Sequence, residues 1–485
     1  MKRLSAFSLH DQGRDASPRR PRTARSAVPT RKAYVSAILS HLLYAGLCMT
    51  AGMAADAPTN APSPRDLVLR TLVYSPALRA AERETDAARQ QHAQAMAAGR
   101  PSVEADASAG HYEGLKDAVI GPGVLIPSVA DRYSARLGIV QRLYTGGEVS
   151  AQRRAARRMT EAAEAEYGSI RSRLAMDALA AYWSWSQAGS LTDALRDTVA
   201  WMEVHRLDVR SLREAGLANE TDLLAAEAEL ERGRLRLSEA GRQADLARAA
   251  LSRLVGAEIA AEQKPRQAPA SFSEEGLPSL DATLLRVTNR VELARLEHNV
   301  QALEESVRAA RAGGRPHVSA AAWYEEGQPN LYNFPLEEKW QDTAFVGLTA
   351  SWTIFDSGLV KARVKEKIAL RDAALGALDE ARDQLRLDAQ SAHIALGNAL
   401  DRVRAAARTE AAAERNLRQA TDQWKNGLAR HSDVLDAEAR HSEARCARLS
   451  ACADVMLAKA GLAYATGDLT QLVEHPVGPL AEPLE

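Results

Sequence analysis

Hydrophobic and polar residues alternate along this chain with two periods, and the periods come in blocks. From Asp66 to Gly99 apolar residues recur at helical steps, with Leu67, Leu72, Leu78 and a series of alanines, which predicts a helix ended by Arg100-Pro101. Pro76 lies early within it, where it kinks the helix or marks its start. The period then falls to two: Val103, Ala105, Ala107 and Ala109 alternate with Ser102, Glu104, Asp106 and Ser108, predicting a strand with one apolar and one polar face. A loop holding Gly114, Gly121-Pro122-Gly123 and Pro127 leads to a second such strand, with Tyr133, Ala135, Leu137 and Ile139 set against Arg132, Ser134, Arg136 and Gly138. Each strand is about ten residues long, the length a tilted strand needs to cross a bilayer, and a wet lumen opposite lipid demands this alternation. Glu148 to Ala215 holds no proline, and Ile170, Leu174, Ala178, Ala181, Trp185 and Ala188 follow one side of a helix. That predicts about 100 Å of continuous helix at 1.5 Å per residue. Gly216 opens a turn, and Asp222 to Val255 returns as a second helix ending at Gly256.

The same order then recurs. Gly216-Leu217-Ala218-Asn219-Glu220-Thr221-Asp222-Leu223-Leu224-Ala225-Ala226-Glu227 is echoed 211 positions later by Gly427-Leu428-Ala429-Arg430-His431-Ser432-Asp433-Val434-Leu435-Asp436-Ala437-Glu438. Tyr144-Thr145-Gly146-Gly147 returns as Phe355-Asp356-Ser357-Gly358 at the same offset, and Gly99-Arg100-Pro101 as Gly314-Arg315-Pro316 at 215. The difference of four residues falls within the hairpin loops, where length changes are tolerated. Val318, Ala320, Ala322 and Tyr324 mark a third strand, less cleanly alternating than the first. Ala344, Val346, Leu348, Ala350, Trp352 and Ile354, against Gly347, Thr349, Ser351 and Thr353, mark a fourth. Leu359 to Asn426 reads as the second long helix and Asp433 to Thr466 as its return, capped by Ser432. The chain divides into a leader (1–54), a first repeat (55–264, hairpin 101–144, tip turn 216–221) and a connector (265–279) with Pro265, Pro269 and Pro278. A second repeat (280–467, hairpin 316–355, tip turn 427–432) and a tail (468–485) follow.

Each repeat predicts one helix of roughly 70 residues and two of roughly 34, so a long helix is matched by two short ones stacked end to end, without which it would lack packing partners. Four columns follow, with four strands at one end and two turns at the other. Four strands cannot close a barrel, and open sheet edges are not tolerated in lipid. Two copies would close eight strands around a filled interior, whereas three would close twelve around a channel, which favours a trimer.

Composition agrees with long helices in contact: aromatic residues make up 5% of the chain and Phe only 5 residues. Arg19, Arg20, Arg22, Arg25, Arg31 and Lys32 precede an apolar run from Ala33 to Met49 and a small-residue site near Gly52-Met53-Ala54 or Met53-Ala54-Ala55, the order of a secretory leader. Cys48 follows Ala45-Gly46-Leu47, with Leu where a lipid-attachment site wants a small residue. Removing residues 1–54 takes nine of the 62 Lys/Arg and two of the 63 Asp/Glu, leaving 53 against 61 and a formal charge of −8. That balance argues against a nucleic-acid partner. Cys446 and Cys452 lie six apart on one helix and point to different faces, which disfavours a disulfide between them. The chain carries no Gly-x-Ser-x-Gly elbow, His-Glu-x-x-His pair or phosphate loop, and His431, His441 and Cys446 are not spaced to share a helical face as zinc ligands would be. Neither an enzyme nor a cofactor is expected.

The duplicated order of helix, hairpin, long helix, turn and helix, together with both turn motifs, resembles the TolC-like outer-membrane exit ducts of Gram-negative bacteria over essentially the whole mature chain. The resemblance implies a mainly α fold with a membrane β-barrel: a homotrimer with a twelve-stranded barrel in outer-membrane lipid and a twelve-helix periplasmic tunnel. It implies as partners a periplasmic adaptor (membrane fusion) protein and an inner-membrane ABC exporter or proton-driven pump. Gly216, Leu217, Gly427 and Leu428 look like the family's adaptor-docking turns, and Asp433 and Asp436 like its ring of carboxylates at the periplasmic entrance. An i, i+3 pair does share one helix face, and threefold symmetry would gather six carboxylates about one axis. Thr221 and Asp222 look like the residues that hold the gate shut against an aromatic and an arginine of a neighbouring turn. Here the aromatic position is Trp424, without a tyrosine's hydroxyl, and the arginine position is Ala429, with Arg430 beside it. The alternative role for Asp222 and Asp433 is to cap the returning helices. Within the family, the missing lipid-attachment cysteine and the form Leu143-Tyr144-Thr145-Gly146-Gly147 look more like type I protein secretion, as in the exit protein for adenylate cyclase-haemolysin, than like small-molecule efflux. A soluble coiled-coil scaffold is the remote alternative.

Overall fold

The computed structural model describes residues 62–469 apart from 122–123, 127, 266–267, 269–277 and 334–335; the expected leader, most of the connector and nearly all of the tail lie outside them. The first predicted helix is two. Helix α1 (Pro64–Tyr74) is capped by the Ser63 hydroxyl, which accepts from the Asp66 amide at 3.2 Å. Ser75 caps α2 (Pro76–Ala97) in the same way, accepting from Leu78 at 3.3 Å, so Pro76 starts a helix at the position where its missing N–H costs nothing.

Strands β1 (Ser102–His111) and β4 (Asp131–Tyr144) form the first hairpin, and a short pair, β2 (Ala118–Ile120) and β3 (Val124–Ile126), lies in its loop. The chain continues with α3 (Glu148–Glu214) and α4 (Glu220–Val255), then α5 (Leu280–Arg286), a 3-10 turn (Val287–Asn289) and α6 (Val291–Ala312). The second hairpin is β5 (His317–Gln328) with β6 (Gln341–Ser351), followed by α7 (Leu359–Lys425) and α8 (His431–Thr466). Both long helices have 67 residues and both returning helices 36. Among the described residues no helix is long and apolar enough to cross a membrane.

The four long strands make one antiparallel sheet in the order β1-β4-β5-β6, which leaves β1 and β6 as free edges within the chain. Cross-strand register sorts the side chains by chemistry. Asp106, Arg136, Glu325 and Thr343 are successive partners on one face, and Ala105, Leu137, Tyr324 and Ala344 on the other. Along β4 the polar-face residues are half-buried and the apolar-face residues exposed, as expected where the polar face is the concave one. Arg136 is paired with Glu325 and lies 4.5 Å over the Trp323 ring.

The helices form four columns. The α2 and α4 column packs on α3, α3 packs on the column of α6 and α8, and that column packs on α7. The interior position of α8 shows in its burial: sixteen of its 36 residues are buried against six of 36 in α4. An aromatic-rich core sits midway along α3, where Tyr182, Trp183 and Trp185 meet Leu67, Leu251, Val255 and Met456. Tyr182 contacts Trp183 and Trp185 edge to face, with ring centroids 5.1 and 6.2 Å apart. The outer columns keep exposed leucines, Leu224, Leu235 and Leu246 on α4 and Leu370, Leu375 and Leu387 on α7.

The duplication is kept in the backbone. Gly147, Gly216 and Gly256 have φ of 95°, 75° and 72°, and Gly358, Gly427 and Gly467, each 211 positions on, have 88°, 71° and 79°. Gly146 has φ 62°, and its counterpart is Ser357, which holds φ 54° without being a glycine. A non-glycine residue there costs about 1–2 kcal/mol.

Candidate functional site

The two tip turns share one construction. In the first, the Leu217 amide donates to the Leu212 carbonyl at 2.8 Å around Gly216, and the Asp222 carboxylate accepts from the Asn219 amide at 3.2 Å. In the second, Leu428 donates to the Gln423 carbonyl at 2.8 Å around Gly427, and Asp433 accepts from the Arg430 amide at 3.0 Å. Each glycine supplies the left-handed residue that ends a helix, and each aspartate satisfies an amide that the next helix would leave orphaned. The second returning helix starts at His431, with Arg430 at the cap position, so Ser432 lies inside the helix rather than capping it; the bond from the Arg430 amide to the Asp433 carboxylate marks that start.

Leu217 and Leu428 are 77% and 79% exposed, and nothing lies within 4 Å of a Cβ built on either tip glycine. The two turns therefore present apolar side chains beside open backbone. Asp433 and Asp436 are both exposed on the first turns of α8; Thr221 and Arg430 are exposed, and Asp222 is half-buried. Trp424 has a different setting. It packs within the protomer against Val209, Leu223 and Ala226, bridging the two tips, and its ring lies 5.2 Å from His205 and 5.7 Å from His431. Among the described residues, no hydrogen bond or ion pair within the protomer joins Thr221 or Asp222 to Trp424 or Arg430.

Three titratable groups near the tips escaped the sequence reading. His205 on α3 and His431 on α8 are buried with their Nε2 atoms 3.0 Å apart. Burial, reinforced by His431, pushes His205 down to about 4 while Asp208 opposes; burial also lowers His431, against the pull of Asp222. Glu438, two turns further along α8, is 3% exposed and faces His441 Nδ1 at 4.0 Å, and burial pushes its carboxyl up to about 7. The repeat offset was the available signal, because it pairs Trp424 with Arg213 and His431 with Glu220, two positions where the second copy trades an ion pair for rings. Among the described residues no group of three or more His, Cys, Asp and Glu is arranged to hold a metal ion.

A family profile described as "Outer membrane efflux protein" matches residues 67–257 and 286–468, one segment in each repeat and most of the chain together. The chain belongs to the outer membrane efflux protein family. It is therefore an outer-membrane channel and not an enzyme, with its sheet at the membrane and its helical columns in the periplasm. The fold is similar to those of solved channels. The outer-membrane channel OprN is 24% identical with a TM-score of 0.72, over 85% of this chain and 91% of that one. The outer membrane protein VceC from Vibrio cholerae is 18% identical with a TM-score of 0.71, over 83% and 96%. The Neisseria gonorrhoeae MtrE outer membrane channel, solved in its open state, is 22% identical with a TM-score of 0.70, over 84% and 90%. No curated protein matches the sequence.

Proposed function

We propose that three copies of this chain form one exit duct, docked by its tips to a periplasmic adaptor and driven by an inner-membrane transporter. The observation that carries this reading is the pair of complementary edges on one protomer. Strand β1 with the α2 and α4 column forms one side, and β6 with α7 the other; both sides have an unpaired strand and exposed leucines. Joining unlike edges head to tail generates a closed ring, and twelve strands leave room for a channel. The tips lie about 100 Å from the sheet by helix length, at the end that faces the inner membrane. There Gly216, Leu217, Gly427 and Leu428 form the docking turns, and Asp433 and Asp436 of three copies form the entrance ring. The clamp that closes it uses Asp222 and Thr221 against Trp424 and Arg430 of a neighbouring turn.

For the cargo we propose a protein carried by an ABC exporter, supported by the Leu143-Tyr144-Thr145-Gly146-Gly147 form and the absence of a lipid-attachment site at Cys48. Small-molecule efflux with a proton-driven pump is the second reading, favoured by the description of the family. Deleting the gene separates them: loss of a secreted protein with unchanged tolerance of dyes and detergents supports secretion, and the reverse overturns it. For the entrance ring, replacing Asp433 and Asp436 together with Ala should weaken block by multivalent cations in single-channel recordings, and unchanged block would sink that assignment.

A further inference from the structure

His205 and His431 rest on the duct reading for their position, yet they take no part in the ring or the docking turns. They are 6% and 5% exposed, their Nε2 atoms are 3.0 Å apart, and the rings lie within 4° of parallel with centroids 5.0 Å apart. That nitrogen separation is a hydrogen bond, so one N–H···N bond joins the pair, with one proton between two facing nitrogens. It fastens α3 of the first repeat to the first residue of α8 in the second.

We propose that this pair is a proton-operated latch at the periplasmic end, closed while one proton bridges the two rings and released when both are fully protonated. The first added proton goes to an outer ring nitrogen and keeps the bridge, since an imidazolium still donates to a neutral imidazole. The second places an N–H on each of the two facing Nε2 atoms with no acceptor between them, and the rings must part. Parting moves the first turn of α8, which carries Asp433 and Asp436, away from α3.

The surroundings set when this happens. Asp208 on α3 favours the charged form of His205 and Lys425 on α7 opposes it, while Asp222 on α4 favours the charged form of His431. Trp201 stacks on His205 at 4.8 Å and 12° and offers a π face to a cation once it forms, while Trp424 lies tilted 5.2 and 5.7 Å from the two imidazoles. Burial disfavours the charged form of both rings, pushing His205 down to about 4 and lowering His431. Glu438 on the same seam works in the opposite direction, because it becomes neutral as the pH falls and so eases its own burial.

Hydrogen exchange on the full-length protein in detergent, with labelling times scaled to the intrinsic exchange rate, tests the latch independently of conduction. Between pH 6.5 and 4.5, peptides covering 201–209 and 428–436 should lose about tenfold or more of their protection while 148–165 keeps theirs. His205→Gln and His431→Gln replace a titrating ring with an amide that can still hydrogen-bond but takes up no proton, and each should keep its protection at pH 4.5. Unchanged protection in the wild type, an equal loss in the Gln variants, or a loss spread evenly along α3 would overturn the latch. Bilayer recordings complete the test: the wild-type open level should rise on acidification and that of His431→Gln should not, and a wild-type level that stays flat would overturn the latch as a gate. A protein that shows the exchange pattern but conducts nothing at any pH would remove the duct reading and leave the proton-dependent contact standing.

Discussion

The first and second tips are built on the same backbone, but one exposes its charges where the other buries its rings. Arg213 and Glu220 meet as an exposed ion pair at 2.5 Å in the first tip, while the equivalent Trp424 and His431 in the second pack together among rings. Glu227 is exposed on α4, whereas Glu438, its counterpart, is buried on α8. The cause is the column order: α4 lies on the outside of the protomer and α8 lies between α3 and α7, so one motif meets solvent and the other a seam. A duplicated sequence thus acquires different electrostatics without a change of local fold.

Five substitutions, with Glu227→Gln as a control, would break or sharpen this contrast. Trp424→Ala should be the most damaging, costing about 3 kcal/mol, the low end for a tryptophan because the ring is half-buried, since the hole it leaves is walled by Val209, Leu223 and two imidazoles. It is measured as a fall in the apparent melting temperature of the helical signal, and a mild effect would mean that the second tip is as open as the first. Glu438→Gln comes next. A carboxyl raised from 4.5 to about 7 contributes stability that is present below pH 4.5 and lost as the pH rises through 7. At 1.36 kcal/mol per unit that loss is on the order of 3 kcal/mol. The variant should remove the decline in melting temperature between pH 5 and 8, and Glu227→Gln should leave it in place. Gly216→Ala and Gly427→Ala should each cost about 1 kcal/mol, from backbone conformation alone, since neither new methyl meets a neighbour. A large loss of transport in either, at that small loss of stability, would locate the adaptor on that turn. Arg213→Ala should be the weakest, under about 1 kcal/mol, as expected for an exposed pair.

Element type and order were legible in the sequence because the two periods are long-lived along the chain and the repeat supplies each one twice. The caps were less so. Ser432 has the residue type of a cap, but the helix begins one residue before it, where the Arg430 amide donates to the Asp433 carboxylate. Pro76 was ambiguous until Ser75 supplied the cap that makes it a start. At the tips, the glycines and both capping aspartates could be read from the motif, since their roles are local. The burial of His205, His431 and Glu438 and the half-burial of Trp424 could not, because they depend on which column stands beside which, and Glu227 with Glu438 carries the same letter in both settings.

The two unbroken 67-residue helices have a mechanical consequence. A rod about 100 Å long turns a rotation of one degree at its base into a displacement of ~1.7 Å at its far end. The junctions at Gly146-Gly147 and Ser357-Gly358, where the strands hand over to the rods, are where such a rotation would be absorbed. An aperture at the far end can then widen by several ångströms while every hydrogen bond along the shafts stays intact, so the mouth is steered by leverage and not by unwinding.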